Sequence, residues 1–241
     1  MELQRILVAV KPGSAGTHVL RFAARLAAKT RARATAVSVT DASAPPTSAA
    51  PDHLNGMPLL TVAGVPAIEI ARLAESTEAD LIVLGRDLPA GRVTRDCGAT
   101  VEGTVRRARV PCLLVPPGAR AFHRFLVAVD GGPDSGDVIA AAHRLARAYN
   151  AAVQLVQVEE PVAAGVGALT GVDDGPAPAN HDTLVCRGEP VSEILRVARD
   201  QVTDVVVLGH HRGGPVSPHA TSGVASRLVQ RVPCAVLTVP I

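Results

Sequence analysis

Residues 205–214 read VVVLGHHRGG. An apolar run stops at a glycine, and two histidines, an arginine and two more glycines follow. Several chemistries suit such a stretch. Glycines let main-chain N–H groups close around the oxygens of an anion, and Arg212 adds a charge that neutralises phosphate. His210, His211 and the later His219 offer imidazoles, which are common zinc ligands. No carboxylate or cysteine lies near them in sequence, so exposed loop histidines are the simpler reading. His210 has a third use, as a hydrogen-bond donor to a phosphate.

Composition narrows the setting. A chain of 241 residues holds one large domain or two of about 100–150 residues. Three Phe, one Tyr and no Trp leave Val, Leu, Ile and Ala to build the core. That scarcity speaks against binding of single-stranded nucleic acid, which uses aromatic stacking platforms. The formal net charge is +2, with acids and bases mixed and no basic run, so a DNA or membrane-surface role has no electrostatic support. The opening MELQRILVAVKPGS lacks a basic leader and reads as no signal peptide. Apolar runs elsewhere are too short to span a bilayer, so no membrane insertion is expected. Four cysteines, none in a C-x-x-C pair, point to a reducing compartment, and the expected location is the cytoplasm.

The elements that must carry the loop are written twice. RILVAV (5–10) recurs as RFLVAV (124–129), and FAARLAAKTRARATAVSV (22–39) as AAHRLARAYNAAVQLVQV (141–158). GVPAIEIARLAESTEADLIVLG (64–85) recurs as GEPVSEILRVARDQVTDVVVLG (188–209), and RVPCLLVPP (109–117) as RVPCAVLTVP (231–240). Four blocks in the same order imply a duplication. Two domains are expected, 1–118 and 119–241, joined near PPGARAFH (116–123). Within each, unalternating apolar runs such as ILVAV read as strands buried on both faces, and the segments between them have helical spacing. In the first copy helices are expected over about 17–30, over PAIEIARLAESTE with Pro in its first turn, and over TVEGTVRRA. Each copy is therefore predicted to be an α/β domain, an open, doubly wound, five-stranded parallel sheet flanked by helices. The Ala-, Pro- and Gly-rich stretches 41–57 and 159–182 are expected to be loops.

LVAVDGG (126–132), DVVVLG (204–209) and SGVASRLVQRVPC (222–234) together resemble the universal stress protein family, here as a tandem pair. The resemblance covers nearly the whole chain and implies an adenine nucleotide alpha hydrolase-like fold. In nucleotide-binding members of that family an Asp ends the first strand, and G-x-x-G-x(9)-G-[ST] follows the fourth. The Asp accepts hydrogen bonds from adenine or ribose, and the last Gly-Ser opens a helix whose N-terminus favours an anion.

Carried onto this chain, the pattern fits the second copy better. Asp130 stands at the Asp position, with Gly131 and Gly132 behind it, and Gly209 is the first loop glycine. Arg212 occupies the second glycine position, followed by Gly213, and the closing pair is reversed to Ser222-Gly223. The Ser222 hydroxyl can still donate, and Gly223 still permits close main-chain approach. In the first copy Lys11 replaces the Asp, Gly85 is followed by a loop two residues longer, and Asp87 and Asp96 would repel a polyphosphate. The resemblance thus implies a stress-response binding module that takes ATP, ADP or AMP in the second copy, with Mg accompanying ATP, and no enzymatic turnover. It also implies pairing through the last strand of each domain, PCLLV with PCAVL, as an intramolecular pseudo-dimer that can associate further into a homodimer. Two other classes compete: a scaffold with both sites empty, acting through protein partners, and a slow ATPase. The ATPase would need a catalytic base or a G-x-x-x-x-G-K-[ST] loop, and neither is seen; nor is a G-x-S-x-G elbow. Cys112, Cys234 and Cys186 read as buried thiols, His143 as a surface or half-buried residue, and Cys97 as a thiol in a polar loop.

Overall fold

A run of branched apolar residues without polar alternation makes a stable strand only if both its faces are covered. The sequence contains many such runs, and the structure stacks them into one continuous sheet with helices on both sides. The computed structural model describes residues 3–11, 17–40, 53–54, 56–86, 98–159, 183–211 and 223–241. The first half runs β1 (Arg5–Val10), α1 (Thr17–Thr30), β2 (Arg33–Thr40), β3 (His53–Leu54), β4 (Met57–Ala63), α2 (Pro66–Ser76), β5 (Leu81–Gly85), α3 (Ala99–Arg107) and β6 (Cys112–Val115). The second runs β7 (Arg124–Val129), α4 (Ser135–Tyr149), β8 (Ala152–Glu159), β9 (Thr183–Arg187), α5 (Pro190–Asp200), β10 (Val205–His210), α6 (Val224–Arg231) and β11 (Ala235–Pro240).

The strand order across the sheet is β3-β4-β2-β1-β5-β6-β11-β10-β7-β8-β9. Read outward from the middle, each half repeats the same five-strand order, and all neighbours within those five are parallel. The fold is thus a duplicated doubly wound α/β sheet. One strand departs from the expected loops: His53–Leu54 pairs antiparallel with Met57–Pro58 as a short hairpin on the outer edge. Residues 41–52, Asn55 and residues 160–182, which belong to those stretches, lie outside the described residues. The middle of the sheet is an antiparallel pairing of the two last strands, with Val236 opposite Leu114 and Thr238 opposite Cys112.

Local devices repeat with the topology. Asp80 Oδ2 accepts from the main-chain N–H groups of Gln4 and Arg5, both at 2.8 Å. Asp204 Oδ2 does the same for His123 and Arg124, at 2.7 and 3.0 Å. The Asp of each D-[LV]-[IV]-V-L-G block is therefore a structural tie between two strand beginnings. Gly64 and Gly188 precede the Pro-started helices α2 and α5 with φ of 146° and 147°. L side chains rarely adopt that conformation, so glycine is required at both.

The core forms two layers. Helices α1 and α4 cover one face of the sheet, and α2, α3, α5 and α6 cover the other. On the first face an aromatic cluster joins the halves: Phe122 stands 5.1 Å from Phe22, 5.8 Å edge-on to Phe125 and 5.0 Å from Tyr149, ring centre to ring centre. Burial pushes the Tyr149 hydroxyl up to about 12. Phe122 belongs to the segment read as a linker, yet it is 1% exposed. Among the described residues no helix is long and apolar enough to cross a membrane. Phe122→Ala should leave an unfilled cavity at the seam and cost about 3–5 kcal/mol, measured as a lower urea midpoint for the whole chain.

Candidate functional site

In an open parallel sheet the strand order reverses direction at one place, and the loops beyond the strand ends part there to leave a crevice. In the second half the chain runs β7, β8, β9 outward and then returns to place β10 on the other side of β7. The crevice therefore opens beyond the C-terminal ends of β7 and β10, where Leu208 pairs with Ala128. A cleft of about 240 Å³ lies there. Its floor is apolar, with Val156, Val158 and Ile194 among its walls, and Asp130, Ser135 and His211 are polar groups around it. Val224 and Ala225, the first two residues of α6, close one side.

Asp130 follows the last residue of β7. Its Oδ1 accepts from the Gly132 main-chain N–H at 2.8 Å and from the Ser135 hydroxyl at 3.2 Å. No other described residue hydrogen-bonds Oδ2. Gly131 makes the turn possible with a φ of 78°, and the turn aims the Gly132 N–H back at the carboxylate. The Gly132 N–H is the main reason the Asp130 carboxyl is held below its ordinary range; partial burial opposes this, and the Ser135 hydroxyl and the nearby His211 assist. The group is an oriented, ionised acceptor on the cleft wall.

The other sequence-derived residues divide. Gly209 ends the apolar part of β10 and lines the cleft, but its role is packing: a Cβ there would sit 3.0 Å from Ile241 Cδ1 and 3.1 Å from Val138 Cγ2. Gly85, its counterpart, would bring a Cβ to 2.7 Å from Val19 Cγ2. Both glycines let the helix after the first strand seat on the sheet, so their retention does not by itself mark a ligand. Gly223 caps α6 in open space, with nothing within 4 Å of a hypothetical Cβ. His210 is the last residue of β10, half-buried with both ring nitrogens out of solvent, and is not on the cleft wall. His211 takes that place. Reading both as exposed loop histidines was therefore right for His211 and is corrected for His210, which the β10–β11 ladder continues to include. Arg212, Gly213 and Ser222 lie outside the described residues, as do His219, Cys97, Asp87 and Asp96.

Sequence reasoning passed over Ser135 as a partner of Asp130, and Val156, Val158 and Ile194 as the apolar floor. The Ser five residues after the Asp was a usable signal for the first; nothing local marks the others. In the first half Lys11 occupies the place of Asp130, exposed just beyond β1. Among the described residues no group of three or more His, Cys, Asp or Glu gathers as for a metal ion. Cys112, Cys186 and Cys234 are free thiols, and burial pushes Cys112 up to about 12 and Cys234 up to about 11, so neither is a ready nucleophile.

The fold defines a duplicated, doubly wound α/β protein, and comparison with known proteins gives the family. The universal stress protein family model matches residues 2–60 and 173–240, together more than half of the chain. The chain belongs to the universal stress protein family, in a tandem form. A relative from Thermus aquaticus, the universal stress protein in QAH/OAS sulfhydrylase 3'region, is 27% identical over 141 residues, covering 49% of this chain and 98% of its own length. A candidate universal stress protein from Pseudomonas aeruginosa UCBPP-PA14 superposes with a TM-score of 0.73 at 17% identity, over 99% of this chain and 93% of its own. A universal stress protein from Archaeoglobus fulgidus DSM 4304 gives 0.72 at 14%, over 99% and 97%. These two show the same fold along both halves.

Ser135→Ala removes one of two donors, so the Asp130 carboxyl should titrate higher than in the parent but still below its ordinary value, because the Gly132 N–H remains. NMR titration of Asp130 reads this directly. A carboxyl lowered in the folded state adds stability above its unfolded value and loses it as pH falls through the folded one. The stability gap between parent and Asp130→Asn should therefore close on the acid side.

Proposed function

We propose that the second half binds an adenine nucleotide in the crevice beside Asp130, and that the protein is a stress-response regulatory module without catalytic turnover. The observation that carries this is Asp130 itself. Its carboxylate is oriented by Gly132 and Ser135, has no partner on Oδ2 from another described residue, and stands on the wall of an apolar crevice at the turning point of the sheet. Such a group accepts two hydroxyls of a ribose or an exocyclic amine, while the valine-lined floor takes the flat base. The N-terminal turn of α6 lies across the crevice and favours the negative end of the ligand. Arg212, Gly213, Ser222 and Gly223 follow in sequence where the family's phosphate loop runs, and with ATP a Mg ion would accompany the phosphates.

The first half has an ammonium at Lys11 where the second has a carboxylate, so it cannot accept a ribose hydroxyl in the same way. On this reading ATP, ADP or AMP occupies one half only. The two halves act as an intramolecular pseudo-dimer about the β6–β11 junction, in the cytoplasm, and whole chains can pair further as a homodimer. The scaffold alternative, with both crevices empty, would show itself as no thermal shift with ATP, ADP or AMP, with or without magnesium.

Calorimetric titration of AMP and ATP tests the proposal. Asp130→Ala should weaken binding by about 1.5–3 kcal/mol, the worth of a charge-assisted hydrogen bond. Lys11→Ala should leave it unchanged. Equal losses from the two substitutions would contradict the asymmetry.

A further inference from the structure

Arg86 is 0% exposed, the largest fully buried side chain among the described residues. It comes from the first half, one residue past β5, and its main-chain N–H donates to Val115 O at 2.9 Å. Its guanidinium reaches into the second half. Nη1 donates to Val229 O, and Nη2 donates to Val232 O and to Cys234 O, the last at 2.6 Å. These three carbonyls are the last turn of α6 and the turn that follows it.

The end of a helix leaves carbonyls without intrahelical partners and carries the negative end of the helix dipole. A guanidinium is a rigid fork of donors with a fixed charge, and it answers both needs. Helix α6 depends on that help. It has eight residues, of which Leu228 and Val229 are buried, and so short a helix has little stability of its own. Its other described charged tie is the ion pair of Arg227 with Glu189 at 2.8 Å, with both side chains partly in solvent. The opposite end of the same helix is the part that matters for the crevice, where Val224 and Ala225 line the same cleft as Asp130. The repeat aligns Arg86 with His210, and an imidazole has no comparable fork of donors. The position that continues β10 beside the second crevice thus holds, in the first copy, a clamp on its neighbour.

We infer that Arg86 is a positioning residue for the crevice in the other half: through one guanidinium the first half sets where α6 lies, and so sets the cleft wall that Val224 and Ala225 form. The inference rests on the nucleotide reading for its functional consequence, but its structural part stands separately. The half whose crevice has lost its acceptor would then be a fixed component of the half that kept one.

The test uses the full chain with Arg86→Lys, which keeps the charge and most of the reach, and Arg86→Met, which keeps only bulk. Amide exchange at Arg227, whose N–H bonds Gly223 O at 3.2 Å, and at the two residues after it reports on α6. AMP titration, well below the melting temperature, reports on the crevice. The expected result for Arg86→Lys is faster exchange confined to α6 and AMP affinity down by about tenfold or more, with the Asp130 titration unchanged. A lower melting temperature with α6 exchange and AMP affinity as in the parent would make Arg86 purely structural and overturn the inference. If the parent binds no AMP, the nucleotide reading fails, and exchange alone decides: loosening confined to α6 supports the clamp, and its absence removes it. Should Arg86→Met fail to fold, the Arg86→Lys readouts stand on their own.

Discussion

The antiparallel meeting of β6 and β11 is the constraint from which the rest of the molecule follows. Each would otherwise be an open sheet edge with a row of unpaired main-chain groups, which invites uncontrolled pairing. Their union makes one sheet of two parallel halves running in opposite senses. The two turning points, between β1 and β5 and between β7 and β10, consequently face opposite ends of the sheet. The same geometry sets the C-terminal ends of β5 and β6 beside the N-terminal end of β11, where α6 finishes. That is why a side chain one residue past β5 can reach the last turn of a helix more than a hundred residues away in sequence. On the face carrying α1 and α4, the seam is filled by the Phe22, Phe122 and Tyr149 cluster, where most of the chain's few aromatic residues are gathered.

Within that shared frame the two turning points differ in the residue that follows the first strand, Lys11 in one half and Asp130 in the other. The frame needs the glycine at the end of β5 and β10, because α1 and α4 press a valine against it in both halves. It also needs the Asp before each of those strands, as a tie to the neighbouring strand. These residues persist in both copies whatever is bound. The carboxylate after the first strand is different. Among the described residues it ties no strand, and in the second half it is oriented by its own turn and by Ser135. Residues that serve the fold are duplicated, and the residue best suited to a ligand is present once.

Much of this was legible in the chain. The repeat and the buried apolar runs gave the fold class, a doubly wound parallel sheet written twice, while the strand order came from the structure. Helices α1, α2 and α3 fall where apolar spacing and the Pro at a first turn put them. Asp130 and Gly131 were singled out through the family resemblance alone, and the structure places Asp130 on the cleft and Gly131 in the turn behind it. Other features were hidden for physical reasons. Arg86 sits in a polar stretch with glycine beside it, which ordinarily means solvent; its burial depends on carbonyls that only the folded second half supplies. Phe122 follows a Pro-Gly linker, and its partners come from both halves. His210 and His211 are adjacent and alike in sequence, and only the length of the β10–β11 ladder separates the half-buried one from the one on the cleft wall. The two-residue β3 is too short to carry a periodicity.

The central claim is an asymmetric pair in a single sheet: Asp130 after the first strand of the second half, and Lys11 at the same place in the first. A crystal structure of the full chain grown with saturating AMP measures it most directly. The account predicts one nucleotide per chain, between the ends of β7 and β10, with the ribose or base on Asp130 Oδ2. A nucleotide in the crevice between β1 and β5, or none in either, would contradict it.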